Sequence, residues 1–441
     1  MDVEYGDVRL EEKAATVVHM AGPEMEEAGE RRDFGGAARA FHKGGIGFAT
    51  FARAEDAPRA AEEASALARL AAGDKDEHFA TVPVVRDEIK APPQDTDPTS
   101  VSLEEKVDLV KRYNSISMGV KGVVTTNTSY SDARVIRHFL STEGSDITEE
   151  RIYTRVVLSA TAAEGSNIQS RHISSAGQSG FGRALGLETD AETAGRDAVE
   201  LLSAPKVRGG TYTVILDPIM AGVFIHEAFG HLSEADHLSR DDRMKEIMKP
   251  GSVFGSGILN ITDQPLPGEW GYYKYDDEGV EKKKVYLVKE GVLQGRLHSR
   301  HTAWLMGEAP TGNARALDFT FPPIVRMSGT CIEPGKSSLE ELLDGIDKGI
   351  YVVSALGGMT EMEMFTFSAQ KAYMIENGKI TQLVRDVVLS GNVFETLKNI
   401  DAVGSDRSFW AGGCGKGRQM PLPVSTGAPH IRIRNVLVGG E

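Results

Sequence analysis

"GVFIHEAFGHLSEADH", residues 222–237, decides how this chain is read. It closes the longer run "TYTVILDPIMAGVFIHEAFGH" (211–231), whose pattern predicts a strand, a turn and then a helix. Asp217 is a good N-cap. Pro218 suits the first helical position, where its missing N–H costs nothing. The helix carries His226, Glu227 and His231, residue types that can hold a metal ion. An α-helix turns about 100° per residue, so side chains four apart diverge by about 40° and five apart by about 140°. His226 and His231 are five apart, and an ideal helix points them away from each other. Two departures would bring them together. One is a π-type widening that takes an extra residue into a turn. The other is an end or bend near Gly230, where glycine weakens helical preference. One of the two is expected here.

The pattern is a five-residue variant of HExxH, in which two histidines bind zinc and the glutamate serves as general base. Glu227, next to His226, is free to hold a water near an ion without ligating it. The plainer reading is a helix that happens to carry histidines, on its surface or satisfied in a core. Burying ionisable groups without partners is costly, which weighs against that reading in so apolar a helix. Other groupings share the segment. His231, Glu234 and His237 could form a site, and Glu227 lies four residues before His231. Spacing alone leaves these open.

The rest of the chain limits the alternatives. Its 441 residues predict two or three domains at roughly 100–200 residues each. The net charge is −15, and the longest basic run is "EKKKV" at 281–285. Duplex binding needs clustered Lys and Arg to displace counterions, so direct nucleic-acid binding is not expected. Two cysteines, Cys331 and Cys414, cannot make a disulfide framework and fit a reducing compartment. The start "MDVEYGDVRLEEK" is charged from its second residue, unlike a signal peptide. No run approaches the roughly 20 apolar residues of a membrane span. A cytoplasmic protein with no membrane partner is expected.

Along the chain, residues 3–52 read as strands and turns. "APRAAEEASALARLAA" (57–72) reads as a helix, and "APPQDTDPTS" (91–100) as a loop. The loop leads into a helix from 102, with Ser102 and Glu105 spaced as a capping box. Two β-rich runs follow, then a helix over about 190–204. After "PKVRGG" (205–210) the texture turns to strands and glycine turns. Hairpins are predicted at Glu290-Gly291 and Asn377-Gly378. Short helices are expected only around 218–231, 337–348 and 393–399. The fold class is α+β. An N-terminal α/β domain (1–206) precedes a strand-rich C-terminal domain (207–441), with the metal site on a helix after a strand.

Taken in order, "HEAFGH", "YDDEG" (275–279), "PTGNAR" (310–315), "PPIVRM" (322–327), "IENGKI" (375–380) and "GGCGKG" (412–417) make the chain resemble the TldD/PmbA family of metallopeptidases. That family was once described as modulators of DNA gyrase. Its TldD-type chains carry HExxxH and its TldE (PmbA) chains lack it, so the resemblance is to the TldD-type, catalytic subunit. It implies one zinc ion per chain on His226, His231 and Cys414, with Glu227 as catalytic base. The implied activity is hydrolysis of peptide bonds in unfolded peptides or small precursor proteins. A homodimer, or a heterodimer with a TldE-type chain, is also implied. One departure is "GGMTEMEMFTFSA" (357–369), where the family has a glycine- and proline-containing turn; it bears on substrate preference.

Two histidines and a thiolate match the three protein ligands usual for catalytic zinc. Cys331, in the strand-like "RMSGTCIEPG", reads as a small core residue. Cys414, flanked by Gly413 and Gly415, is expected in a loop whose backbone can reach toward another element. Asp276, Asp277 and Glu278 are candidates to orient a ligating imidazole, or else turn caps. His298, Arg300, His301 and Arg315 are candidates to position substrate or stabilise an oxyanion. The competing functional reading is a non-catalytic regulatory or partner subunit of a TldD/TldE-type complex. A third, metal-independent binding to a topoisomerase, rests on the family's old name alone.

Overall fold

The computed structural model describes residues 3–73, 76–92, 94–361 and 363–440. Pro93 of the predicted loop and Met362 of the departing stretch lie outside the described residues. The first part of the chain builds one large sheet from β1 (Tyr5–Ala21), β2 (Glu24–His42), β3 (Gly45–Phe51), β4 (Arg86–Ile89), β5 (Val123–Ser141), β6 (Asp146–Glu164) and β7 (Asn167–Gly177). The order is β3-β2-β1-β5-β6-β4, with β7 also on β6, and only the β4–β6 pairing is parallel. Helices α1 (Ala57–Ala71), α2 (Leu103–Met118) and α3 (Glu188–Ser203) pack on it. Small residues set the closeness of α1. Ala60, Ala64 and Ala68 face the sheet, and a Cβ on Gly47 would lie 1.9 Å from the Ala64 carbonyl oxygen. Ser102 caps α2 by accepting the Glu105 N–H.

From residue 210 the elements are β8 (Gly210–Leu216), α4 (Pro218–Ile225), α5 (Ala235–Leu238), α6 (Asp242–Ile247), β9 (Ile261–Asp263), β10 (Val285–Lys289), β11 (Val292–Leu293), α7 (Arg300–Met306), β12 (Ala314–Arg315) and β13 (Ile324–Val325). They continue with β14 (Gly329–Ile332), α8 (Leu339–Leu343), β15 (Lys348–Glu361), β16 (Met364–Glu376), β17 (Lys379–Val384), β18 (Val388–Asn392), α9 (Val393–Lys398), β19 (Ile400–Val403), β20 (Ser408–Lys416), β21 (Gln419–Ala428) and β22 (Ile431–Gly439). One sheet runs β15-β8-β22-β18-β16, and β16 pairs back with β15, so these five strands close into a ring. The other runs β11-β10-β9-β14-β21-β20. Both predicted hairpin turns form, with Glu290, Gly291, Asn377 and Gly378 all at positive φ, as a tight two-residue turn demands.

Helix α4 packs against β15 of the ring and β20 and β21 of the second sheet. That position explains its composition. Met220, Ala221, Phe224 and Ile225 are all buried, and a helix apolar on every side is one enclosed on every side. Asp217 caps it, accepting the Met220 N–H at 2.7 Å. Gly222 lets it approach β21, since a Cβ there would meet Thr426 Oγ1 at 2.7 Å.

The sequence reading needs correction in places. Helices α5, α6 and α7 were not expected. Cys414 lies on a strand, β20, and not in a loop, opposite Leu422 of β21. Glycines at 412, 413 and 415 are tolerated there because β20 is the last strand of its sheet.

Candidate metal centre

After α4 the helix widens. Residues His226–Gly230 form a π turn in which the His231 N–H donates to the His226 carbonyl, five residues back. One turn of backbone therefore separates the two histidines, and their imidazoles come to the same side. Their ring centroids are 5.3 Å apart, with the rings nearly perpendicular. Gly230 has ordinary helical dihedrals (φ −58°, ψ −52°), so its conformational freedom is not what the turn uses. It is needed for space. A Cβ at Gly230 would sit 2.0 Å from Sδ of the fully buried Met327.

Strand β20 brings Cys414 to the same point. Its Sγ is 3.4 Å from His231 Nε2, and one donor atom from each of His226, His231 and Cys414 lies within 4.8 Å of the others. Tetrahedral zinc bonds of about 2.3 Å to sulfur and about 2.05 Å to nitrogen place two such donors about 3.5 Å apart, so the set fits that ion. The two cysteines differ sharply in environment. Burial pushes the Cys331 thiol up to about 11. Burial opposes ionisation of Cys414 too, but His226 and His231 outweigh it and draw that thiol down to about 5. Cys414 is the cysteine equipped to offer a thiolate.

Each imidazole is held from behind. His226 Nδ1 is 3.4 Å from Thr330 Oγ1. His231 Nδ1 is 3.0 Å from Glu234 Oε2, and Glu234 has no exposed surface. Burial alone would raise the Glu234 carboxyl, but Lys416 and His231 pull it down to about 2. Glu227 Oε2 stands 3.7 Å from His231 Nε2 with its side chain partly open. It faces a cavity of about 930 Å³ whose walls include His226, His231, His172, Met359, Trp410 and Met420. His172 comes from β7 of the first sheet, the other walls from the second part of the chain.

Of the remaining candidates His237 lines this cavity, while Asp276, Asp277, Glu278, His298, Arg300, His301 and Arg315 do not. Asp276 accepts the backbone N–H groups of Glu278, Val280 and Ala314. Asp277 is salt-bridged to Arg9 and Arg137. Glu278 takes Arg39 Nη1 at 2.7 Å and the Arg300 N–H at 2.6 Å. Arg300 is bidentate to Glu143, His298 binds Glu308, and His301 binds Glu77. Arg315 donates to the Met327 and Pro423 carbonyls. Asp276 caps a turn, Asp277, Glu278, Arg300 and His301 reach residues of the first part of the chain, and His298 and Arg315 bind within the second; none of them bonds a candidate ligand. The arginine partners of Asp277 and Glu278 and the glutamate partners of Arg300 and His301 lie far away in sequence, which local reading cannot see. Glu234 was weighed only as a ligand and Lys416 not at all; the three-residue step from His231 to Glu234 was the available signal.

A second cluster, Glu234, Asp236 and His237, also has converging donors. Lys416 Nζ already sits there, 3.0 Å from Glu234 and 2.6 Å from Asp236.

Three family models match in order: PmbA/TldA metallopeptidase domain 1 over 6–68, the central domain over 96–204 and the C-terminal domain over 209–440. A metalloprotease of Synechocystis sp. is 42% identical, over 99% of this chain and 95% of its own. A metalloprotease of Methanothermobacter thermautotrophicus is 37% identical, over 99% and 96%. The zinc metalloprotease TldD homolog of Saccharolobus solfataricus is 39% identical, over 54% and 53%. Among solved structures, TldE from Thermococcus kodakarensis has the same fold, with a TM-score of 0.80 at 20% identity over 99% of this chain and 97% of that one. The chain belongs to the PmbA/TldD metallopeptidase family. No helix among the described residues is long and apolar enough to cross a membrane.

Proposed function

We propose that this chain is a zinc-dependent endopeptidase of HExxxH type that hydrolyses unfolded peptides or small precursor proteins. The observation that carries it is the π turn, which sets His226 and His231 beside Cys414 with Glu227 on the wall of a large cavity. His226, His231 and Cys414 would hold one zinc ion, and the name of the Saccharolobus relative is in keeping with that metal. Bound zinc supplies a Lewis acid that lowers the pKa of water and polarises a carbonyl. Glu227 has the free carboxylate needed to take a proton from the attacking water and return it to the leaving amine. The buried flanks of the turn keep the donors in place, so little reorganisation is required of them.

Residues 1–206 and 207–441 are proposed as separate domains, in line with a first sheet drawn only from residues 5–177 among those described. A homodimer, or a dimer with a TldE-type chain, and a cytoplasmic location belong to the same proposal. The test is Glu227→Gln. Zinc content should match the wild type and cleavage of an unstructured peptide should disappear. Cleavage at the wild-type rate would remove Glu227 from the chemistry.

A further inference from the structure

One carboxylate oxygen ties together the two halves of the candidate centre. Glu234 Oε2 is 3.0 Å from His231 Nδ1 and 3.0 Å from Lys416 Nζ. Lys416 stands two residues beyond Cys414 on β20, past an irregularity in its pairing with β21. Its ammonium also meets Asp236 at 2.6 Å and the Val325 carbonyl at 2.9 Å, so its three protons have three acceptors. The segment that carries the imidazoles and the strand that carries the sulfur are 183 residues apart in the chain, and this pair joins them directly behind the donors.

The chemistry fixes a direction. An ionised carboxylate only accepts, so His231 must carry its proton on Nδ1 when it bonds Glu234. In the neutral ring Nε2 then keeps its lone pair, and Nε2 is the nitrogen that faces Cys414 Sγ. The arrangement has a cost: Glu234 Oε1 is buried without a hydrogen-bond partner. A buried carboxylate oxygen without a partner is costly, and the two bonds to Oε2 are what hold the group there.

Resting on the metal reading above, we infer that Glu234 is a positioning residue for His231, fixing its tautomer and ring for the ion, and that Lys416 is the brace locking Glu234 to the cysteine strand. Asp236 completes the brace. The Glu234–Asp236–His237 cluster is thereby a seat for the protein's own ammonium and not for a second cation.

The experiment compares the full-length wild type, Glu234→Gln and Lys416→Met, each stripped of metal. Zinc affinity is read by competition with a chromophoric chelator, and cobalt(II) is used as a spectroscopic probe. Circular dichroism melts establish folding. Glu234→Gln should bind zinc about 10–100-fold more weakly, the usual effect of losing a ligand's orienting partner. Its cobalt–thiolate absorption should shift as the imidazole loosens. Lys416→Met should weaken zinc in the same direction, and it decides the matter if Glu234→Gln does not fold. A folded Glu234→Gln with wild-type zinc affinity and an unchanged cobalt spectrum overturns the inference. A wild type that binds no zinc overturns the functional proposal instead, so the two failures are distinct.

Discussion

Replacing Gly230 by alanine tests how the π turn is held. In an ordinary helix interior the change would stabilise by roughly 0.5–1 kcal/mol, because glycine has more backbone freedom to lose. Here the new methyl would lie 2.0 Å from Met327 Sδ, 3.3 Å from its Cε and 3.4 Å from its Cγ. Met327 has no exposed surface, so its side chain cannot swing into solvent. Overpacking of this kind costs about 1–3 kcal/mol, and its middle and upper values, less the helical gain of roughly 0.5–1 kcal/mol, leave a net loss of about 1–2 kcal/mol. For a cooperative unit of about 150–250 residues that is a fall in Tm of about 2–8 °C. His231 is the next residue, so the shift should also lower zinc affinity. Pairing the change with Met327→Ala should recover part of the loss. Contacting residues show coupling of about 0.5–3 kcal/mol in a double-mutant cycle, and this pair should too. Thermal melts and zinc titrations of the four proteins provide the measurements. If Gly230→Ala melts and binds zinc like the wild type, with no coupling to Met327, close packing does not explain the glycine.

Two further outcomes follow from the environments described. Both cysteines are buried, so the difference rests on the thiols. In metal-free protein at neutral pH iodoacetamide should label Cys414, drawn down to about 5, faster than Cys331, pushed up to about 11, and zinc should protect Cys414; equal labelling by peptide mass spectrometry would contradict the assignment. His172 should titrate below the usual histidine value, because burial, helped by Arg171 and Arg155, disfavours its charged ring. The Gln370 amide Nε2, 3.0 Å away, donates to its Nε2 while Gln370 Oε1 takes the His172 backbone N–H. A depressed folded pKa means that the unfolded chain binds the proton first. The stability contribution is therefore present above about pH 6.5 and is lost as pH falls through the folded value. An imidazole NMR titration of His172 with a midpoint at or above 6.5 would refute this.

How much of this was legible in the sequence depended on how local the determinant was. Asp217, Pro218 and the five-residue histidine spacing are local, and they predicted both the helix and its distortion. The turn dipeptides at 290–291 and 377–378 were equally local. Helix α7 was missed because its cap pairs Ser299 with Thr302 instead of the glutamate or glutamine that marks a capping box. Cys414 was placed in a loop because three neighbouring glycines usually mean one; the edge position of β20, which permits them, is a property of the whole sheet. The "YDDEG" carboxylates looked available for the site. Asp276 is taken by backbone N–H groups, and Asp277 and Glu278 by Arg9, Arg137 and Arg39, which only the folded chain brings near.

The extra residue in the π turn places two histidines five apart much as a regular helix places two that are four apart. Deleting Ala228 would restore the four-residue step and let an ordinary α turn close, with the residues on either side still in phase. The residues inside the turn would shift, among them Phe229, which is wholly enclosed and 5.3 Å from the Phe254 ring. The turn takes up one side chain more than a regular helix would, and the enclosed helix before it and the second histidine after it stay in step.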